Sequence, residues 1–209
     1  MRLVMSVLII SMAILSPSAA GLAGEERDWL REGISLLESY LYEEAVEAFS
    51  RAIEKTPRNE EAFFYRGYAW RMMGEFDRAI SDYSKSIEIN PTFANVFINR
   101  GVAYDSKGQY DRAISDYSKA IELNPRDDVA YYNRARSYYR KKQHDLAISD
   151  YSKAIEINEN FSMAYSNRGV AKMKLGDTDG ACSDWKRACE LDNCGIYTIM
   201  KMLCRGLEE

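Results

Sequence analysis

Four cysteines and one histidine are the most reactive side chains of this 209-residue chain, and their placement decides which chemistry is open to it. His144 follows Gln143 with no Cys and no Ser-rich elbow nearby, so it has no evident nucleophile to activate. A lone His also cannot build the multi-histidine centre of most zinc hydrolases. Carboxylates are plentiful, but Asp82, Asp116, Asp150 and Asp184 each stand one residue before an aromatic. A catalytic pair need not recur in this way, so the repetition speaks for structure, with these carboxylates expected to face solvent or a neighbouring arginine. Gly67, Gly101 and Gly169 are isolated, which is the wrong context for a phosphate-cradling loop. The chain does not read as an enzyme, and no catalytic residue, cofactor or metal is expected.

Composition bounds the rest. An apolar fraction of 46% with 29% charged residues permits a large buried core. The 28 basic and 32 acidic residues leave a net charge of -4, which argues against nucleic acid as a partner. Residues 1–23 read as a secretory signal peptide: Arg2 leads, an apolar run from Leu3 to Leu15 follows, and small residues close it at Ser18-Ala19-Ala20 or Gly21-Leu22-Ala23. An uncleaved anchor is the alternative, and membrane attachment is expected only in that case. The expected location is exported, either periplasmic or extracellular.

The elements that carry these residues are set by a period. Tyr-Ser-Lys-(Ser/Ala)-Ile-Glu-(Ile/Leu)-Asn begins at Tyr83, Tyr117 and Tyr151, spaced by 34 residues both times. Phe49 and Trp185 open the same phrase one period before and after. Each unit pairs two amphipathic stretches, such as Phe97, Gly101 and Tyr104, then Ala113, Ile114, Tyr117, Ala120 and Ile121. Gly74, Gly108 and Gly176 fall at the turn between them, where a left-handed residue ends a helix cheaply. Asn90-Pro91 and Asn124-Pro125 stop the second helix. At these two junctions the fourth unit departs, with Gln143 for Gly and Glu159 for Pro; Tyr40 stands near the first turn.

This pattern resembles the tetratricopeptide repeat family. The family's small residue in its first helix maps to Gly33, Gly67, Gly101, Ala135 and Gly169, and its second-helix aromatic to Phe49, Tyr83, Tyr117, Tyr151 and Trp185. The resemblance covers residues 26–195 as five repeats: 26–59, 60–93, 94–127, 128–161 and 162–195. It implies an all-α, right-handed superhelical solenoid of helix-turn-helix hairpins, closed by a capping helix within 196–209. It also implies a non-enzymatic scaffold whose concave groove, lined by the first helices, binds a protein or peptide. Self-association between copies and a membrane-held adaptor are the other readings. The Lys and Asn clamp by which some relatives hold a terminal carboxylate is not matched, since Leu30, Ile34 and Asn95 occupy its places.

Asn99, Asn133 and Asn167 recur at one first-helix position, which Tyr65 fills in the second repeat. They look like the asparagine ladders that hold extended peptide backbones in some members, because an amide both donates and accepts. Periodicity adds Tyr68, Tyr132, Arg136, Tyr139 and Arg140 as groove candidates; Tyr and Arg suit interfaces by combining area with a polar handle. Arg66, Arg100, Arg134 and Arg168 at the adjoining position are expected to bridge neighbouring repeats to carboxylates.

All four cysteines lie between Cys182 and Cys204. In an exported chain such a set suggests disulfides. Cys182 and Cys189 are roughly 10 Å apart along one helix, too far to join each other. A last helix folded back on that one favours Cys189–Cys194 across the turn and Cys182–Cys204 at the far ends. Other connectivities, and a four-thiolate zinc site lacking a Cys-x-x-Cys clamp, stay open at this stage.

Overall fold

A computed structural model describes residues 28–204. The signal or anchor segment, 1–23, lies outside the described residues, as do 24–27 and 205–209. The described span contains eleven helices: α1 (Trp29–Glu38), α2 (Tyr42–Lys55), α3 (Glu60–Met72), α4 (Phe76–Ile89), α5 (Ala94–Ser106), α6 (Tyr110–Leu123), α7 (Asp128–Arg140), α8 (His144–Ile157), α9 (Ser162–Lys174), α10 (Thr178–Glu190) and α11 (Gly195–Cys204). They pair as α1–α2 through α9–α10, each second helix also rests on the first helix of the next pair, and α11 packs on α10. The fold is an all-α solenoid of helical hairpins with a capping helix. No such hairpin can bury its apolar faces alone, so stacking supplies the core.

Within each hairpin the chain reverses in the same way. In the second, the Gly74 amide donates to the Arg71 carbonyl at 3.0 Å and the Glu75 amide to the Trp70 carbonyl at 2.9 Å. Gly74, Gly108 and Gly176 take φ of 80°, 71° and 83°. Gln143 is the residue expected at this point of the fourth hairpin, but the position 34 residues after Gly108 is Lys142, and the structure makes the turn there. Lys142 is the left-handed residue, at φ 61°, while Gln143 has φ -89° and precedes α8. Tyr40, also at φ 61°, serves the first hairpin. The closing bonds are kept: the Leu41 amide donates to the Leu36 carbonyl and the Gln143 amide to the Tyr138 carbonyl, both at 2.9 Å.

Between hairpins, asparagine makes the turn. Asn90, Asn124 and Asn158 share an extended backbone, at φ -132°, -135° and -135°. The Oδ1 of each accepts an amide two residues on, from Thr92, Arg126 and Asn160. Glu159 in place of Pro therefore leaves this junction unchanged.

The core is one large ring per repeat set against one small residue. Phe49, Tyr83 and Tyr117 are fully buried, and Tyr151 and Trp185 are nearly so. Burying such a ring stabilises by roughly 1.5–3 kcal/mol. A Cβ added at Gly101 would lie 2.6 Å from the Tyr117 ring, so the absence of a side chain sets how closely α5 and α6 approach. The fourth hairpin carries Ala135 there, packed with Tyr151.

The recurrent aspartates do not face solvent. Asp82, Asp116, Asp150 and Asp184 are buried, at 4–6% exposure. Each accepts two hydrogen bonds from the arginine 16 residues before it, and that arginine also donates to a serine of the preceding repeat. For Arg100, Nε reaches Asp116 Oδ2 at 2.8 Å, Nη2 reaches Oδ1 at 2.7 Å, and Nη1 reaches Ser84 Oγ at 3.0 Å. Arg66, Arg134 and Arg168 repeat the arrangement with Ser50, Ser118 and Ser152. The carboxylate thus lies in the arginine's own repeat, and the link between repeats goes to the serine. Lys107–Asp77 and Lys141–Asp111 pair adjacent repeats along the hairpin turns.

The cysteines pair as Cys182–Cys204, which joins α10 to α11, and Cys189–Cys194, which closes the turn before α11. Among the described residues, no helix is long and apolar enough to cross a membrane.

Candidate functional site

Successive first helices touch directly, α1 on α3, α3 on α5 and α5 on α7, so they occupy the tighter, inner side of the curve. The inner face is where periodicity places the candidate residues, and the structure sorts them into three groups.

Tyr65 belongs to the packing. Its ring stacks on Phe49 at 5.8 Å and edges onto Phe64 at 5.1 Å, sealing the first repeat against the second. Tyr68 is half-buried, with the Arg71 guanidinium 4.8 Å above its ring.

The asparagines are engaged within the chain to different degrees. Asn99 is half-buried, and its Nδ2 donates to the Asn95 carbonyl at 2.9 Å inside α5. Asn133 is 7% exposed and accepts from Arg136 Nη1 at 3.5 Å. Asn167 donates from Nδ2 to the Tyr132 hydroxyl at 2.9 Å, a bond that ties α9 to α7. Each keeps some amide capacity, but the three do not form a row of equally open amides.

The third group converges. Arg136, Tyr139, Arg140 and Asn167, with Tyr151 and Val170, line a hollow of about 220 Å³ between α7 and α9. Arg136 and Arg140 also line a second hollow, of about 310 Å³, towards α5 with Val102, Asp105, Ser106 and Tyr110. The two arginines, one helical turn apart on α7, are therefore the centre of the inner face. Tyr132 backs them: its ring lies 4.8 Å from Phe161 and 5.8 Å from Tyr151, and Arg136 sits 5.9 Å over it. Burial raises the Tyr132 hydroxyl above the usual tyrosine range.

Two participants do more than their periodic positions indicate. Asp105 Oδ1 accepts from Ser137 Oγ at 2.7 Å, and its Oδ2 accepts from the Tyr117 hydroxyl at 3.2 Å. Burial lifts the Asp105 carboxyl above its usual range, while these two bonds pull it back down. The signal for this cluster is Ser137, which replaces the Ala found at the matching position in Ala69, Ala103 and Ala171. Tyr151 is the other: it recurs with the packing tyrosines, yet it also lines the hollow.

His144 packs its ring 5.1 Å from Tyr139, and its Nδ1 is buried without a hydrogen-bond partner. Among the described residues no group of three or more His, Cys, Asp or Glu is placed to hold a metal ion. The inner face presents aromatic rings, amides and two arginines, groups suited to a protein or peptide.

The tetratricopeptide repeat family model matches residues 60–93, 94–127 and 129–161. No curated protein is significantly similar to the chain. Solved structures are. The crystal structure of MamA is 28% identical, covering 77% of this chain and 94% of that one with a TM-score of 0.73. YrrB, described as a TPR protein with an unusual peptide-binding site, is 17% identical over 83% of this chain and 90% of its own, with a TM-score of 0.70. TTC0263, a thermophilic TPR protein of Thermus thermophilus, is 20% identical over 83% and 94%, with a TM-score of 0.63. The period of 34, the five hairpins and these matches together establish that the chain belongs to the tetratricopeptide repeat family.

Proposed function

We propose that this repeat scaffold holds an extended peptide segment of a partner protein along the inner face of α3, α5, α7 and α9. The observation that carries the reading is the pair of adjoining hollows that share Arg136 and Arg140. Taken together, their linings run from Val102 and Tyr110 through the two shared arginines to Asn167 and Val170. Asn167 and Tyr139 line the first hollow, and Asn99, Asn133, Tyr68 and Tyr132 are assigned to the partner as further contacts by their periodic positions on the first helices. The peptide-binding site named for YrrB is in keeping with this use of the fold.

The test is selection of random dodecapeptides against the full chain. Selected peptides should lose at least tenfold in affinity when Ser106→Trp fills the larger hollow, and should be unaffected by Lys85→Ala. Ser106 and Lys85 are both exposed, on α5 and α4 respectively, so neither change disturbs the core. Peptides insensitive to Ser106→Trp would place the binding surface elsewhere.

The scaffold is further proposed to act outside the reducing cytoplasm. Its two disulfides and the apolar run Leu3 to Leu15 support export. N-terminal sequencing of the chain from its source cells, with thiol labelling, decides this: a start beyond residue 18 and no labelled thiol are expected.

A further inference from the structure

Each second helix from α4 to α8 carries one buried tyrosine at the same position, but the hydroxyl groups meet different surroundings. In the third repeat the chain supplies a carboxylate. The Tyr117 hydroxyl donates to Asp105, and Ser137 donates to the other oxygen of the same group. One repeat later the places of Asp105 and Ser137 are taken by Tyr139 and Ala171. No carboxylate is offered to Tyr151. Its side chain is 2% exposed, and its hydroxyl has no hydrogen-bond partner among the described residues.

Beside Tyr139 the fourth repeat leaves an open hollow of about 220 Å³. Its lining of Arg136, Tyr139, Arg140, Tyr151, Asn167 and Val170 contains no acid. Both arginines are exposed, and among the described residues neither makes an ion pair. Arg136 makes only the 3.5 Å contact with Asn133 and lies over Tyr132. Asp105, the nearest acid on the adjoining face, is already held by Ser137 and Tyr117. Two guanidinium groups without an ion pair and the unpartnered Tyr151 hydroxyl thus share one concavity, with Asp105 within electrostatic reach of both arginines from the adjoining side. Guanidinium donors match carboxylate oxygens in geometry as well as charge.

We propose that this hollow is a carboxylate seat, which takes a glutamate or aspartate side chain from an extended acidic segment of a partner protein. The seat rests on the groove reading above and gives it a chemical preference. Arg136 and Arg140 supply the charge, and the Tyr151 hydroxyl, which lines the hollow without a partner of its own, supplies a further donor. Asp105 in the third repeat is the internal precedent: the same ring position, one period earlier, is satisfied by a carboxylate from the chain itself. That precedent favours carboxylate over the larger phosphate group.

The experiment titrates the full chain with three end-capped peptides, hexaglutamate, hexaglutamine and a hexapeptide with one phosphoserine among glutamines, at low salt. Hexaglutamate should bind at least tenfold more tightly than hexaglutamine. Arg140→Gln should weaken it about fivefold, and Arg136→Gln with Arg140→Gln should bring it to the hexaglutamine level. Tyr151→Phe should weaken it about threefold, whereas Tyr117→Phe should leave it unchanged. Circular dichroism and melting curves confirm that each variant is folded. Hexaglutamate affinity that survives loss of both arginines overturns the seat, and so does tighter binding of the phosphoserine peptide. If dodecapeptides selected for the groove show no acidic enrichment, the seat falls while the groove reading stands. If no selected peptide responds to Ser106→Trp, the groove reading falls as well.

Discussion

Arg100 grips Asp116 with both ends of its guanidinium, at 2.8 and 2.7 Å, while its third nitrogen reaches back to Ser84 of the preceding repeat. One side chain thereby closes its own hairpin and marks the register of the next. The carboxylate is 8% exposed and the arginine side chain 18%, so water screens the pair little. Removing one partner of a buried pair leaves an uncompensated charge and costs about 3–5 kcal/mol. Arg100→Met is therefore expected to lower unfolding stability in urea by about 3 kcal/mol, towards the lower end because the arginine retains some exposure. The double variant Arg100→Met with Asp116→Leu should regain most of that loss. A double variant as unstable as the single one would show that the serine link, not the charge pair, holds the seam.

Lys142 and Tyr40 occupy left-handed turns that Gly74, Gly108 and Gly176 fill elsewhere. A side chain in this region costs about 1–2 kcal/mol, and glycine avoids the cost while adding some unfolded-state entropy. Lys142→Gly should raise stability by about 0.5–1 kcal/mol. The Lys142 side chain is exposed, so no packing is lost to offset the gain. Paired urea melts of the two proteins measure the difference directly, and no gain would mean that the turn bonds already relieve the strain.

The hairpins are legible in the sequence because their signal is redundant. A ring, a small residue facing it and an asparagine turn recur every 34 residues, so any one departure, such as Glu159, leaves the frame intact. The turn at Lys142 is less legible, since lysine has no turn signature and only the count of 34 from Gly108 marks it. The aspartates are legible in part, since of their two expected surroundings, solvent or a neighbouring arginine, the structure has the second. A charged side chain suggests solvent, and only the arginine 16 residues earlier reveals that burial is compensated. The hollow over Tyr151 is hidden more deeply. It depends on the absence, in one repeat, of the acid and serine that the previous repeat supplies, and periodic reading emphasises what recurs.

Burial holds the hydroxyls of Tyr83, Tyr117 and Tyr151 well above the usual tyrosine range, while the nearby arginines Arg71 and Arg136 oppose the shift only in part. The sign follows from linkage. A raised folded value means that the folded state keeps protons the unfolded chain releases above about pH 10. The stabilisation is complete below that pH and declines as pH rises through it, by about 1.4 kcal/mol per pH unit for each tyrosine. Stability should thus fall steeply above pH 10, and Tyr83→Phe should lessen the slope by one tyrosine. The same variant should be more stable at neutral pH by about 1 kcal/mol, because the Tyr83 hydroxyl is buried with no hydrogen-bond partner. Urea melts between pH 7 and 11 check both effects.

The bond between Cys182 and Cys204 closes a 22-residue separation and ties the last described turn of α11 to the first turns of α10. Cys204 and Cys182 are both buried, packed with Trp185 and Ala181 and flanked by Val170, Met173, Ile196 and Tyr197. This terminal cluster has a repeat neighbour on one side only, so its order leans on the cross-link more than the inner repeats do. A loop of this length corresponds to about 3 kcal/mol of restricted unfolded-state freedom. The bond from Cys189 to Cys194 spans only 5 residues and contributes less. Cys182→Ala with Cys204→Ala is therefore expected to destabilise the end of the solenoid while sparing its middle. Hydrogen exchange should accelerate in Gly195–Cys204 and in Thr178–Glu190, with little change in Ala94–Leu123. Uniform acceleration along the chain would mean that the five repeats unfold as one unit and that the cap is not a separate element of stability.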